Sequence, residues 1–221
     1  MIDEGASPNE PYLVMIAGPN GAGKTTLTNW LRQKGFDFGE YINADDIARE
    51  LDGSYGVRVA EAQRLADQRR EACITARRSF SFETVMSHPS KVEILAKARS
   101  AGFFIQLFFV GIDDPLTNVE RVALRVSQGG HDVPQDRIVA RWYRTMELLS
   151  EAILASDRAY IFDNSTIDGP RPVFLWTSGN WQVMQSDPIP MWIKRYILDR
   201  LSIGSNADPG GVPSDKLSKM T

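Results

Sequence analysis

The hydrophobic positions of the chain predict buried strands that alternate with amphipathic helices. Two short apolar runs, residues 12–17 and 103–112, are bounded by Pro, Gly or Asp, as strands buried on both faces of a parallel sheet usually are. Further strands are predicted at 41–43, 79–85 and 159–165. Because helical stretches separate these runs, the pattern predicts an α/β fold, a three-layer sandwich with a mostly parallel sheet of about five strands.

The remaining periodic segments predict helices and one hairpin. A helix from Thr25 carries Leu27, Trp30 and Leu31 on one face and stops near Gly35. Further helices are predicted at 55–78, 91–101, 116–127, 135–155 and 191–201, and a β-hairpin at 173–184. The arginines of the helix 55–78 are interspersed with acids and are predicted to lie on a solvated face. The helix 135–155 is predicted to bury one face, formed by Ile138, Trp142, Met146, Leu149 and Ile153.

The first strand leads into residues 18–25, Gly-Pro-Asn-Gly-Ala-Gly-Lys-Thr, which fit the phosphate-binding loop motif G-x-x-x-x-G-K-[ST]. Glycines allow backbone N–H groups to face phosphate oxygens, and the helix that follows presents its positive end to the same anion. Lys24 supplies a cation for the β- and γ-phosphates, and the Thr25 hydroxyl is a ligand for Mg²⁺. Strand, loop and helix together predict a triphosphate site formed by Gly18, Asn20, Gly21, Ala22, Gly23, Lys24, Thr25 and Thr26.

Acidic residues follow three of the predicted strands. Asp45 and Asp46 either stabilise a helix N-terminus or include a general base. Glu83 either faces the ligand crevice or is a surface residue. Asp113 and Asp114 resemble a Walker B ending, but Pro115 at a first helical position favours a helix cap.

A loop containing Gly129 and Gly130 lies between two predicted helices that carry several arginines, a pattern typical of a lid over a triphosphate. Arg125 and Arg141 are predicted to stabilise charge on the transferring phosphoryl oxygens. Asn164, at the end of the strand 159–165, either contacts the nucleotide or turns the chain. Arg137 or Arg144 is the alternative to Arg141, and Arg121 also lies near the lid, so the sequence leaves open which of these arginines contact the γ-phosphate.

Length and charge narrow the class of protein. The 221 residues predict a single domain at 1–201, followed by a disordered Gly/Pro/Ser-rich tail at 202–221. A formal net charge of −3 argues against a nucleic-acid partner. The single cysteine, Cys73, suits a reducing compartment, and neither a signal peptide nor a membrane-spanning run is recognisable. We therefore expect a soluble cytoplasmic enzyme.

Taken together, the loop at 18–25, Asn43-Ala44-Asp45, Phe82-Glu83-Thr84, the pair Arg121 and Arg125, and the lid sequence 129–134 resemble the zeta-toxin family of P-loop kinases from bacterial toxin–antitoxin systems. The resemblance extends over residues 12–165.

The resemblance implies phosphorylation by ATP, with Mg²⁺, of a hydroxyl on a UDP-activated amino sugar, typically UDP-N-acetylglucosamine. It implies that Asp45 is the base, that Glu83 and Thr84 hold the substrate and that the lid arginines clamp the γ-phosphate. It also implies an antitoxin protein as a partner.

The chain is shorter than the founding toxins of this family, so their sugar pocket and antitoxin surface are not carried over. An antibiotic or nucleoside kinase would use the same residues. A partner-coupled ATPase switch, which would depend on Asp113 or Asp114, and a polynucleotide 5′-kinase, which would need a basic channel, are the alternatives from other classes.

Overall fold

The computed structural model describes residues 10–130, 132–184 and 188–201, and seven strands lie in these ranges. The strands are β1 (Tyr12–Ala17), β2 (Glu40–Tyr41), β3 (Phe80–Thr84), β4 (Phe104–Gly111), β5 (Arg158–Asp163), β6 (Arg171–Thr177) and β7 (Asn180–Val183). They form one sheet in the order β2-β3-β1-β4-β5-β6-β7.

The first five strands of the sheet are parallel, and the hairpin β6–β7 continues it in antiparallel pairing next to β5. The predicted mostly parallel α/β sheet is confirmed, and the predicted hairpin extends that sheet from five strands to seven. Because β1, β3, β4 and β5 all run in one direction, the residues after their carboxyl ends meet at one edge, where ligands of such sheets bind.

Helices cover both faces of the sheet. They are α1 (Lys24–Gln33), α2 (Ala44–Glu50), α3 (Tyr55–Thr75), α4 (Ser90–Ser100), α5 (Pro115–Ser127), α6 (Gln135–Leu154) and α7 (Met191–Ile193), which continues as a π-helical turn, Lys194–Leu198.

Alternation along β1 separates two hydrophobic cores. Leu13 and Met15 pack into the larger core with residues of α3, α4, α6 and α7, whereas Val14 and Ile16 pack into the smaller core with Leu27 of α1. The side chains predicted to form the buried face of α6 are indeed buried, namely Ile138, Trp142, Met146, Leu149 and Ile153.

The arginines of α3 do not all lie on a solvated face, as their mixture with acids would suggest. Arg70 is buried, pairs with Asp67 and lies over the ring of Phe82, with 4.8 Å between the guanidinium carbon and the ring centroid. Cys73 is a buried core residue, and burial together with the nearby Glu40 raises the pKa of its thiol to about 11.

The C-terminal helix α7 docks on the carboxyl ends of β4 and β5. Trp192 is buried, and an added Cβ at Gly111 would come within 2.5 Å of its ring. Its backbone N–H donates to Asp113 at 2.8 Å and its indole N–H donates to Asp163 at 3.0 Å. The predicted tail at 202–221 lies outside the described residues.

Within the ranges that the structure describes, the helices are too short or too polar to cross a membrane.

Candidate active site at the carboxyl edge of the sheet

The phosphate-binding loop connects β1 to α1 and depends on glycine at two positions. A Cβ on Gly18 would lie 2.2 Å from the carbonyl oxygen of Val110, so no side chain fits where the loop leaves the sheet. Gly23, the N-cap of α1, has a φ of 100°, in the region that favours glycine. The loop therefore turns tightly and presents the N-terminus of α1 at the sheet edge.

Two buried asparagines hold this loop from outside. Asn118 of α5 donates from Nδ2 to the carbonyl oxygen of Asn20 at 2.5 Å, and Asn164 donates from Nδ2 to that of Ala22 at 2.8 Å. The contact that the structure gives Asn164 is thus with the loop, and a contact with the nucleotide stays a prediction. Asn118 is not predictable as a residue of this site, because nothing in the local sequence pattern links it to a loop 98 positions earlier.

Lys24 lies in the centre of the site with its charge poorly solvated. Its Nζ donates to the carbonyl oxygens of Gly18 at 2.8 Å and Pro19 at 2.9 Å. Burial, with a smaller contribution from the charge of Arg125, lowers the pKa of Lys24 from 10.5 to about 8, although the carboxylates of Glu83 and Asp45 raise it. A half-buried and poorly solvated cation favours a bound anion, so the site fits the phosphates of a nucleotide.

Glu83, at the end of β3, is held against the loop by three hydroxyl groups. Its carboxylate accepts hydrogen bonds from Thr28 at 2.6 Å, Tyr41 at 2.8 Å and Thr25 at 3.2 Å. Burial and the Glu83 carboxylate raise the pKa of the Tyr41 phenol, which keeps it protonated as a donor. Glu83 therefore lies beside the hydroxyl predicted to bind Mg²⁺, and its predicted contact with an acceptor stays a prediction.

The two acids of α2 have different surroundings. Asn43 caps the helix by accepting from the backbone N–H of Asp45 at 3.0 Å, and Asp46 pairs with Arg49 at 2.7 Å. The Asp45 side chain is exposed, and its charge acts on Lys24. The structure therefore gives Asp46 a local partner, whereas Asp45 is exposed and its charge raises the pKa of Lys24.

Thr84 connects the end of β3 to the loop. Its carbonyl oxygen accepts from Gly18 N at 3.3 Å, and its Oγ1 accepts from Met86 N at 3.0 Å. Met86 is buried with a φ of 56°, an unusual conformation for a non-glycine residue and one often found near ligand sites. The predicted contact of Thr84 with substrate stays a prediction.

The predicted lid is the connection between α5 and α6, and His131 within it lies outside the described residues. Arg125 is near the end of α5, where Gly130 N donates to its carbonyl oxygen at 2.9 Å, and its charge acts on Lys24. Arg141 lies one helical turn before Thr145, whose hydroxyl donates to Val85 O at 2.7 Å beyond β3. Arg125 and Arg141 are thus on the elements that border the site.

The other three arginines near the lid have contacts or exposure that do not link them to the phosphate-binding loop. Arg121 donates to Thr166 O at 3.3 Å, while Arg137 and Arg144 are exposed on α6.

The acids after β4 are engaged in structural contacts. Asp114 is the N-cap of α5 and accepts from Leu116 N at 2.8 Å, with Pro115 in the first helical position. Asp113 accepts from Trp192 N at 2.8 Å. The helix-cap interpretation is confirmed for Asp114, and the hydrogen bonds that the structure gives both acids are with backbone N–H groups. Glu83 is instead the strand-end acid hydrogen-bonded to the loop threonine.

The phosphate-binding loop lies at the carboxyl edge of a mostly parallel sheet, an acid from the neighbouring strand accepts a hydrogen bond from the loop threonine, and an arginine-bearing connection borders the site. These features together define the P-loop kinase fold. Residues 2–168 match the family model described as Zeta toxin, which is more than half of the chain. The chain therefore belongs to the zeta-toxin family.

Other proteins resemble this chain in sequence or in fold. An uncharacterized protein of Haemophilus influenzae is 28% identical over 131 residues, 58% of this chain and 91% of the relative. The crystal structure of the AvrRxo1-ORF1:AvrRxo1-ORF2 complex with sulphate ions contains a chain with a TM-score of 0.64 at 16% identity, over 80% of this chain and 62% of that one. The crystal structure of the same complex with ATP contains a chain with a TM-score of 0.63 at 16% identity, over 79% of this chain and 61% of that one.

A chain of the PezAT chromosomal toxin–antitoxin system of Streptococcus pneumoniae has a TM-score of 0.54 at 15% identity, over 77% of this chain and 72% of that one. The present chain spans less than two thirds of the AvrRxo1 chains that it matches. At these identities the likeness shows the fold, and family and fold together support a phosphotransferase that uses ATP.

Proposed function

We propose that this protein is an ATP-dependent small-molecule kinase that transfers the γ-phosphoryl group to a hydroxyl of a UDP-activated amino sugar, such as UDP-N-acetylglucosamine. The observation that carries the proposal is the site assembled at the carboxyl edge of the sheet, where Lys24 lies in the phosphate-binding loop, Glu83 accepts a hydrogen bond from Thr25 and the charge of Asp45 contributes to the pKa of Lys24. A kinase needs a carboxylate that takes up the acceptor's proton, whereas a loop that only binds nucleotide does not, and we assign that role to Asp45.

In this proposal, the loop residues Gly18, Asn20, Gly21, Ala22, Gly23 and Thr26 hold ATP, together with Asn164. The Thr25 hydroxyl is the protein ligand of Mg²⁺, and Glu83 orients that hydroxyl through the hydrogen bond already present. Bound MgATP supplies the γ-phosphoryl group, with its charge partly neutralised by the metal. A neighbouring structure of this fold was solved with ATP, which supports the choice of nucleotide.

Asp45 orients the acceptor hydroxyl and takes up its proton as the oxygen bonds to the γ-phosphorus and the bond to ADP breaks. Lys24, Arg125 and Arg141 stabilise the charge on the phosphoryl oxygens during transfer. Glu83 and Thr84 lie at the end of the strand next to β1 and form the acceptor side of the site. Positioning and electrostatics thus supply most of the catalysis.

The acceptor and the partner are proposed from family membership. The PezAT structure is that of a toxin–antitoxin system, which supports an antitoxin partner for this chain too. A kinase of another small molecule is the alternative that uses the same residues. The partner-coupled ATPase is disfavoured, because Asp113 and Asp114 are bound to Trp192 and Leu116.

The proposal is tested by following γ-labelled ATP into a panel of UDP-sugars, nucleosides and aminoglycosides with wild type, Lys24→Ala and Asp45→Ala. We expect label in a UDP-amino sugar with wild type alone. Label in a nucleoside or an aminoglycoside would show that the acceptor is one of these molecules and not a UDP-amino sugar. Label only in free phosphate, unchanged in Asp45→Ala, would contradict the kinase proposal.

A further inference from the structure

Asn118 of α5 is fully buried behind the phosphate-binding loop, and its side-chain amide is only half satisfied. Its Nδ2 donates to the carbonyl oxygen of Asn20 at 2.5 Å, whereas its Oδ1 is buried without a hydrogen-bond partner among the residues that the structure describes. A buried acceptor without a donor costs folding stability. Stability alone therefore does not account for an amide at this position, which favours a role in placing the loop.

The peptide unit that Asn118 holds is the one between Asn20 and Gly21. A trans peptide unit is planar, so its C=O and N–H groups point in opposite directions. Because the carbonyl oxygen is bonded to α5, the N–H of Gly21 points away from that helix. N–H groups on the inner side of such a loop meet phosphate oxygens. Asn164 holds the next peptide unit but one in the same manner, through the carbonyl oxygen of Ala22.

The helix α5 also approaches the backbone of the loop closely at this point. Gly21 has a φ of 74°, and a Cβ there would lie 2.9 Å from the carbonyl oxygen of Asn118 and 3.3 Å from the side chain of Val122. About two turns further along the same helix lies Arg125, whose charge lowers the pKa of Lys24. One helix therefore packs against the loop, holds one of its peptide units and carries an arginine that borders the site.

We propose that Asn118 is a positioning residue for ATP, which fixes the peptide unit before Gly21 so that its N–H group is already aimed at a phosphate oxygen when the nucleotide binds. This inference rests on the ATP-binding part of the proposed function and is independent of the acceptor. Because a loop held in its binding conformation does not have to be ordered on binding, the expected effect of Asn118 is on the affinity for ATP.

The test measures binding of AMP-PNP, a non-hydrolysable ATP analogue, with Mg²⁺ to wild type, Asn118→Leu and Ser156→Ala. Asn118→Leu keeps the approximate size of the side chain and removes both the donor and the unpaired oxygen. Ser156→Ala is the control, because it removes a buried hydrogen bond to the carbonyl oxygen of Ala152 at the opposite edge of the sheet. We expect the analogue to bind Asn118→Leu about 10- to 100-fold more weakly than wild type, and to bind Ser156→Ala as it binds wild type.

Urea unfolding of the same proteins separates positioning from stability. Asn118→Leu loses one hydrogen bond together with one unpaired buried oxygen, so these effects offset and its unfolding midpoint should stay close to that of wild type. If Asn118→Leu does not fold, Asn118→Asp keeps the shape and places an acceptor against the carbonyl oxygen of Asn20, and we expect at least the same loss of affinity.

Wild-type affinity of the analogue for a folded Asn118 variant, or an equal loss of affinity in Ser156→Ala, would overturn the inference. Absence of analogue binding to wild type would overturn both the inference and the use of ATP in the proposed function. Because binding is measured without turnover, a failed transfer assay with the analogue still bound would reject the proposed acceptor chemistry and leave the role of Asn118 intact.

Discussion

Acidic residues lie near the ends of β2 and β3 and also after the end of β4, and in the sequence the two sets look alike. Their contacts in the structure differ. Glu83, near the end of β3, accepts a hydrogen bond from the hydroxyl of Thr25. Asp45, which follows β2, raises the pKa of Lys24 through its charge. After β4, Asp113 and Asp114 bind the backbone N–H groups of Trp192 and Leu116.

Both β3 and β4 lie beside β1, so adjacency to β1 does not explain the difference. Glu83 is still within β3, opposite Ile16, and reaches the first turns of α1, whereas Asp113 and Asp114 follow the end of β4 and meet α7 and the start of α5. An acid near a strand end therefore gains its role from its position along the strand and from the segments that pack there.

The structural side of this comparison is tested by Trp192→Ala. Trp192 is 2% exposed, and its loss leaves a cavity and removes a donor from the buried Asp163, so we expect unfolding free energy to fall by about 3–5 kcal/mol. Met191→Ala, at a position 64% exposed, is the control and should change stability little. Urea unfolding measures both, and a loss below about 1 kcal/mol in Trp192→Ala would contradict the docking role.

The catalytic side is tested by Glu83→Gln, which keeps the size of the side chain and removes its charge. We expect phosphoryl transfer to fall about 10- to 100-fold and the Mg²⁺ concentration for half-maximal rate to rise, because Thr25 loses its charged acceptor. Glu40→Gln, a carboxylate on β2 that pairs with Arg78, serves as the matched control. An unchanged Mg²⁺ requirement in Glu83→Gln, with a raised KM for the acceptor instead, would assign Glu83 to substrate alone.

The smallest expected effect concerns Lys24, whose pKa is lowered from 10.5 to about 8 by burial. Between these values the unfolded chain binds more protons at this site than the folded one, so the stability contributed here rises with pH from about 8 to 10.5. The cost in folding stability of keeping the charged Lys24 poorly solvated is fully present below about pH 8. Because Lys24 keeps part of its exposure, the full value expected from the pKa shift is discounted, and we expect the stability of Lys24→Met relative to wild type to fall by about 2 kcal/mol between pH 7 and pH 10.5.

This prediction is checked by urea unfolding of wild type and Lys24→Met across that pH range. Titration of Cys73 and other groups common to both proteins cancels in the difference between them. A difference independent of pH would mean that the charge of Lys24 is not poorly solvated in the folded protein.

The phosphate-binding loop, the strands and the buried face of α6 could be predicted from local sequence patterns. The G-x-x-x-x-G-K-[ST] spacing and the apolar run before it fix a strand, a turn and a helix within about 20 residues, and the spacing of Trp142 and Met146 fixes a helical face. The cap at Asp114 was predictable for the same reason, since Pro115 follows it directly.

Contacts between distant segments were not predictable in this way. The hydrogen bonds of Asn118 to the loop and of Trp192 to Asp163 join residues 98 and 29 positions apart, and their existence depends on strand order. Arg70 was expected on a solvated face because its neighbours in sequence are polar, yet the ring of Phe82 and the carboxylate of Asp67 allow its burial.

The central claim, that Asp45 and not the acids after β4 serves the reaction, is tested most directly by single-turnover phosphoryl transfer in Asp45→Asn and Asp114→Asn. The two changes are matched, because each removes one carboxylate charge and Asn caps a helix about as well as Asp, so the N-terminus of α5 stays intact. We predict a loss of about 10²–10⁴-fold for Asp45→Asn and a rate within about twofold of wild type for Asp114→Asn. The reverse, transfer retained in Asp45→Asn and lost in Asp114→Asn, would contradict the account.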